Sequence, residues 1–105
     1  MIVREWRALA SRANVPAYIK FFDETVVPVL KTVPGHRGAC LMHRDVEEGV
    51  ELVVLTRWES RAAIQAFGGA DITRARVELQ AQALFIRFDQ TVSLYELDLK
   101  IDLPA

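Results

Sequence analysis

Four consecutive apolar residues, Leu52, Val53, Val54 and Leu55, constrain the fold more than any other part of this sequence. They lie in the middle of a segment, residues 50–58, that is predicted to form a β-strand. Successive side chains of a strand point to opposite faces of its sheet, so this strand is apolar on both faces. A strand with one face in water should instead alternate apolar and polar residues. The sheet is therefore expected to be covered on both faces.

The elements around this strand follow the order β, α, β, β, α, β, which is the ferredoxin-like split βαβ pattern of an α+β protein. Pro34 stops the first helix, Gly49 belongs to a hairpin turn, and Ser60 is suited to cap the second helix. Pro28 falls inside the first helix, where its missing N–H should kink the last turns or end the regular part early. The predicted strands are residues 2–10, 38–46, 50–58 and 91–99, and the predicted helices are residues 16–33 and 60–67, with a weaker helical piece at 77–83.

Two helices can cover only one face of a four-stranded antiparallel sheet, so the second face needs another cover. The second strand is also apolar on both faces, with Ala39 and Leu41 on one and Cys40 and Met42 on the other. Nothing in the 105 residues remains to cover that face, and two-fold pairing is the commonest arrangement of oligomers. We therefore predict that residues 1–105 form a single domain and that two copies pair through their open sheet faces into a dimeric α+β barrel, a homodimer.

Composition argues against several classes of function. The 13 Lys and Arg nearly cancel the 14 Asp and Glu, so no basic surface favours nucleic acid as a partner. No uncharged stretch approaches the roughly 20 apolar residues of a membrane span, so no membrane partner is expected. Two histidines and the lone Cys40 do not make a metal-ligand set, and neither a metal nor a cofactor is expected. A lone thiol suits a reducing compartment, and the predicted location is cytoplasmic.

Short motifs spread along almost the whole chain carry a family resemblance. They are Arg4 and Trp6 in the first strand, Pro34-Gly35, Gly38-Ala39, Arg44, Trp58-Glu59-Ser60, Phe67-Gly68-Gly69-Ala70-Asp71, and Val92 with Tyr95-Glu96 in the last strand. In this order and spacing they resemble the antibiotic biosynthesis monooxygenase domain family. The resemblance implies a dimeric α+β barrel with one pocket per subunit between the sheet and the helices. Members include cofactor-independent monooxygenases acting on aromatic polyketides, heme-degrading monooxygenases, and proteins without known activity.

The positions that carry chemistry in two branches of that family differ in this chain. Heme-degrading members share a signature that consists of an Asn on the first strand, a Trp on the second helix and a His ten residues after that Trp. Quinone-forming members use an Asn, Trp and Tyr set around the second helix. The corresponding residues here are Trp6, Phe67 and Val77 for the first set, and Ala63, Phe67 and Thr73 for the second.

Two residues are candidates for catalysis. His43 is the better acid–base candidate, because an imidazole titrates near neutrality and strand alternation puts it on the same face as Ala39 and Leu41. Tyr95 could donate a proton to a bound substrate. The alternatives are a histidine at the rim of the pocket and a tyrosine that hydrogen-bonds across the subunit interface.

Five residues are predicted to bind substrate: Arg4, Trp6, Arg44, Trp58 and Phe67. The two arginines could clamp an anionic substrate or an oxyanion formed during oxidation, and the alternative is a structural ion pair. The aromatic residues could wall an aromatic pocket and offer indole N–H donors, and the alternative is a core or dimer contact. The carboxylates available for structural ion pairs are Glu5, Glu59, Asp71 and Glu96.

These observations leave three hypotheses, in descending order. The first is a cofactor-independent monooxygenase that acts on a small aromatic or polyketide-like substrate. In that hypothesis a base such as His43 ionises the substrate, and the resulting anion reacts with O₂ while Arg4 or Trp58 stabilises the charge. The second is a non-catalytic dimer that binds a small apolar or aromatic ligand. The third, heme degradation, is disfavoured by the departures at Trp6, Phe67 and Val77.

Overall fold

A computed structural model describes residues 1–104, so Ala105, the last residue of the predicted domain, lies outside the described part. Its centre is one antiparallel sheet with the strand order β2-β3-β1-β4, and β5 also pairs with β1. The predicted α+β, ferredoxin-like fold is confirmed. The strands are β1 (Ile2–Ala10), β2 (His36–Val46), β3 (Gly49–Trp58), β4 (Phe85–Phe88) and β5 (Ser93–Glu96).

The fourth position of the sheet is shared by two short strands. β5 pairs with the first half of β1, from Ile2 to Glu5, and β4 pairs with its last residues, from Ala8 to Ala10. The sequence predicted one longer strand at 91–99 and did not predict β4. The four residues of β4 are too few for a clear alternating pattern.

The helical layer begins after a 3₁₀ turn at Arg12–Asn14 and contains α1 (Val15–Phe21), α2 (Val27–Leu30), α3 (Arg61–Gly68) and α4 (Leu79–Gln82). A π turn at Phe22–Val26 joins α1 to α2, and the N–H of Val27 donates to the carbonyl of Phe22. This confirms the predicted break near Pro28. Proline has no N–H for the carbonyl of Glu24 and its ring would collide with that carbonyl, and the wider turn relieves both problems.

Ser60 caps α3 as predicted, because its hydroxyl oxygen accepts a hydrogen bond from the backbone N–H of Ala63. Gly35, in the turn between α2 and β2, has φ +85°, a conformation that favours glycine. A Cβ at Gly35 would also lie 2.6 Å from the Cβ of Ala63, so the glycine lets the turn approach the start of α3 closely.

Alternation along β1 and β3 separates the two faces of the sheet. The side chains that face the helical layer are buried: Ile2, Arg4, Trp6, Ala8, Ala10, Val50, Leu52, Val54, Thr56 and Trp58. On the open face the intervening residues of β3, such as Val53 and Leu55, are only partly buried. Met42 is 44% exposed there, and Cys40 is exposed as well. No helix among residues 1–104 is long and apolar enough to cross a membrane.

Candidate functional site

A cavity lies between the helix-facing side of the sheet and the helical layer. Its empty space, which extends into open solvent at the mouth, is about 600 Å³. Most of the wall is aromatic or aliphatic, which is typical of pockets for small organic ligands. The lining residues are Arg4, Trp6, Val54 and Thr56 from the sheet, Tyr18, Phe21, Phe22, Val26 and Leu30 from the first helical segment, Phe67 from α3, and Arg76, Val77, Glu78 and Ala81.

Arg4 brings a positive charge into this apolar cavity. β1 holds it opposite Thr56, and it is 8% exposed. Its Nη2 donates to the backbone carbonyl of Arg74 at 2.6 Å, while its Nε is buried and has no hydrogen-bond partner. Burial lowers the pKa of the Arg4 guanidinium, which nevertheless stays cationic because arginine does not lose its proton in proteins.

The structural ion pair considered for Arg4 is not formed. Glu5 lies on the opposite face of β1 and pairs with Arg7, because neighbouring residues of a strand point to opposite faces. The other three carboxylates have their own hydrogen-bond partners. These pairs are Glu59 with Arg37, Asp71 with Thr73, and Glu96 with Arg61.

Trp6 and Trp58 have different roles from those expected. Trp6 lines the cavity, but its indole N–H is already used in a 2.8 Å hydrogen bond to the carbonyl of Asp89. Trp58 is fully buried and donates to the hydroxyl oxygen of Thr56 at 2.8 Å. Its ring packs against Phe67 with 5.4 Å between centroids, so it supports a lining residue without lining the cavity. Neither indole N–H is available to a substrate oxygen.

The mouth of the cavity is formed by side chains that sequence reasoning missed. The guanidinium of Arg76 lies 4.7 Å from the centre of the Phe67 ring, and its Nη1 donates to the Phe67 carbonyl at 3.0 Å. Glu78 pairs with Arg76 at 3.5 Å between Oε1 and Nε. Both charged residues belong to a segment without regular structure before α4, and no sequence pattern points to their position.

Besides Trp58, three predicted site residues lie outside the cavity. His43 and Arg44 are exposed on the edge strand β2, and the Nε of Arg44 donates to Glu51 at 2.8 Å. Tyr95 is 49% exposed and its hydroxyl donates to Glu5 at 3.1 Å on the open face of the sheet. His43 pairs with Leu52, whose side chain faces the helical layer, but His43 itself is exposed because the helices do not cover the whole length of this edge strand. These residues do not converge with Arg4, Trp6 and Phe67.

The arrangement fits a flat apolar ligand better than it fits a hydrolytic or metal site. The lining contains no cysteine, serine or histidine, and no group of three metal-ligating residues occurs within residues 1–104. Glu78 is the carboxylate of the lining, and Thr56 and Tyr18 are its hydroxyl groups. Burial raises the pKa of the Tyr18 phenol, so this side chain is a neutral donor and not a base at ordinary pH.

Comparison with solved structures finds the same fold in several proteins of low sequence identity. A Bacillus cereus protein, provisionally described as an antibiotic biosynthesis monooxygenase, has 16% identity and a TM-score of 0.67, with 97% of each chain covered. A Streptomyces coelicolor monooxygenase in complex with nanaomycin D has 18% identity and a TM-score of 0.63, covering 99% of this chain and 92% of the other. The Mycobacterium tuberculosis heme-degrader MhuD, with two hemes bound in its active site, has 22% identity and a TM-score of 0.64, covering 97% of this chain and 100% of the other.

Comparison of the sequence with known proteins and with protein families gives two results. No protein of curated function matches the chain. The model of the antibiotic biosynthesis monooxygenase family, however, matches residues 1–79. That range includes β1 to β3, the helices α1 to α3 and the mouth residues of the cavity.

Proposed function

We propose that this chain, which belongs to the antibiotic biosynthesis monooxygenase family, binds a small aromatic or polyketide-like substrate in the cavity and oxygenates it without a cofactor. The observation that carries the proposal is the cavity itself. Its wall combines Trp6, Phe21 and Phe67 with a small number of polar groups, and a flat ring can pack against such a surface. The complex of the Streptomyces coelicolor relative with nanaomycin D supports the same substrate class.

The proposed reaction requires a substrate whose ring carbon bears acidic hydrogens. Removal of one proton gives a carbanion that reacts with O₂, and the resulting hydroperoxide loses water to leave a carbonyl group. One oxygen atom enters the product and the other leaves as water, while the substrate CH₂ group supplies the electrons. The step therefore needs no external reductant.

Glu78 replaces His43 as the proposed base. A general base must reach the proton that it removes, directly or through one water, and His43 lies outside the cavity. Glu78 is the one carboxylate in the described lining of the cavity, and it stands at the mouth beside Arg76. The site residues carried into the proposal are Arg4, Trp6 and Phe67, with Arg76 and Glu78 added by the structure.

Oxygen uptake with a panel of hydroxylated anthrones and related phenols tests this function. The expected result is protein-dependent oxygen consumption with at least one acidic aromatic compound. Binding of these compounds with no oxygen uptake would favour the second candidate, a non-catalytic ligand-binding protein. That candidate is supported by the absence of His43 and Tyr95 from the cavity.

Heme is not the proposed ligand. The described lining has no histidine, cysteine or methionine to ligate iron, and burial keeps the Tyr18 phenol protonated by raising its pKa. A hemin titration followed by Soret absorbance should show no stoichiometric shift. A tight one-to-one change in the spectrum would contradict this assignment.

We further propose that the working unit is a cytoplasmic homodimer. The open face of the sheet carries partly exposed apolar residues, including Met42, Val53 and Leu55, and no element within residues 1–104 covers them. A second copy placed on this face would bury them and would also remove Cys40 from water.

A further inference from the structure

Within residues 1–104, the guanidinium of Arg4 is a buried charge without a carboxylate partner. It is 8% exposed and forms no salt bridge with any carboxylate in residues 1–104. One hydrogen bond, to the carbonyl of Arg74, satisfies Nη2. Nε remains out of contact with water and without an acceptor. A buried cation normally has an anionic partner, because its removal from water carries a large penalty that only a charge pair and full hydrogen bonding offset.

The cavity offers the place where such a partner can bind. Arg4 lines this cavity. The other charged lining residues, Arg76 and Glu78, pair with each other at 3.5 Å, so their opposite charges cancel. The described lining therefore carries one net positive charge, on Arg4. A single anionic oxygen would match this charge, whereas a second anionic group would find no free cation.

We propose that Arg4 determines ligand specificity and that the cavity selects an aromatic monoanion, whose carboxylate or phenolate oxygen pairs with the guanidinium of Arg4 where this residue lines the cavity. This inference rests on the proposed function, since it concerns the same cavity. The aromatic wall formed by Trp6, Tyr18 and Phe67 receives the ring, and the strand β1 points the guanidinium at its anionic edge.

A purely structural role for Arg4 makes a different prediction. Its bond to the Arg74 carbonyl would then serve only to hold the segment before α4 in place. In that case the cavity should bind neutral and anionic rings of the same shape about equally.

Calorimetric titration with 2-naphthoate and 2-naphthamide separates these roles, because the two compounds share a ring system and differ in charge. The wild-type protein should bind the carboxylate at least about 10-fold more tightly than the amide, as expected for a hydrogen bond to a charged group. Arg4→Met should lose this preference. Arg44→Met is the matched control and should keep it, because Arg44 is exposed on β2 and bonded to Glu51.

A measurement on the wild-type protein alone covers the case in which Arg4→Met fails to fold. The affinity for a nitrophenol should rise as the pH is raised through the pKa of the free phenol, because the cavity binds the ionised form. Equal affinity for naphthoate and naphthamide, or an affinity for nitrophenol that falls with ionisation, overturns the inference while leaving the proposed ligand site intact. Failure of both naphthalene compounds to bind would overturn the inference and the proposed function together.

Discussion

At the scale of single residues, the site depends on which side chains reach the cavity and not on which residue types are chemically versatile. Alternation along β1 puts Arg4 and Trp6 together on its helix-facing side. The same rule placed His43 with Leu41, but it does not tell how far the helices extend over an edge strand. Arg76 and Glu78 could not be found from the sequence, because their segment has no periodic pattern that fixes a direction for the side chains.

Replacement of Glu78 tests the proposed base. Glu78→Gln keeps the size of the side chain but cannot accept a proton, so kcat for oxygen uptake should fall by about 100-fold or more, in line with the usual contribution of general acid–base catalysis. The measurement is steady-state oxygen consumption with the best substrate of the panel. His43→Ala should retain wild-type activity, and the opposite pattern would return the role of base to His43.

A second residue-level prediction concerns the pH dependence of stability. Desolvation lowers the pKa of His36, aided by the charge of Arg57 and opposed by a backbone hydrogen bond with Gly38. The ring packs edge-on against Trp58 at 5.0 Å, and its Nε2 is buried without a partner. The folded state therefore disfavours protonation of this imidazole relative to the unfolded state.

The direction of the pH effect on stability follows from the linkage between proton binding and folding. Because the pKa of His36 in the folded state lies below its unfolded value of about 6.5, the unfolded chain binds more protons as the pH falls below that value, and stability is lost. Thermal melts from pH 7.5 to pH 5 should show a decline that His36→Gln reduces. His43→Gln should leave the decline unchanged, since that side chain is exposed on the same strand. An identical decline in His36→Gln would show that other groups cause it.

At the scale of elements, Ser60 illustrates a local rule that sequence reasoning could apply fully. Its hydroxyl caps α3 at 3.2 Å from the N–H of Ala63, as the residue type and the following apolar residues indicated. Ser60→Ala should destabilise the protein by about 1 kcal/mol, which for a domain of this size lowers Tm by roughly 4–8 °C. Ser60→Asp should retain the cap and show a much smaller loss in the same calorimetric scan. Equal losses in the two variants would contradict the capping role.

The π turn is an element whose position links Pro28 to the cavity. Phe22 and Val26, at the two ends of the turn, both line the cavity. Pro28→Ala restores a backbone N–H and permits a regular α-helix, so Tm should stay constant or rise while ligand affinity falls several-fold as these side chains move. Val29→Ala, at a 43% exposed position on α2, is the control and should bind normally. Unchanged affinity in Pro28→Ala would show that the turn does not shape the cavity.

At the scale of the whole molecule, the order of the elements was enough to predict the α+β fold, because each long strand and each helix carries its own turn and capping signals. The split of the fourth sheet position into β4 and β5 was not predictable, since both strands have four residues and acquire their register only from β1. The cavity was expected only from the family resemblance. Its lining depends on long-range contacts, such as that between Arg4 and the segment before α4.

The proposed dimer is tested at this same scale. Size-exclusion chromatography with light scattering should give a mass twice the 11.9 kDa of the chain. Leu55→Asp introduces a negative charge on the open face directly opposite Glu5 of β1, and should give the monomer mass because the new carboxylate has a like-charged neighbour in the proposed interface. Gln80→Glu, at an exposed position on α4, should remain dimeric. A monomer mass for the wild-type protein at micromolar concentrations would contradict the dimer.

The central claim, that this cavity oxygenates an aromatic substrate with O₂ and no cofactor, is tested most directly by turnover under isotopically heavy oxygen gas, with the product analysed by mass spectrometry. The purified protein without added reductant, metal or heme should place one heavy oxygen atom in each product molecule and release the other as heavy water. A product that contains no heavy oxygen, or turnover that appears only after a reductant or heme is supplied, would contradict the account.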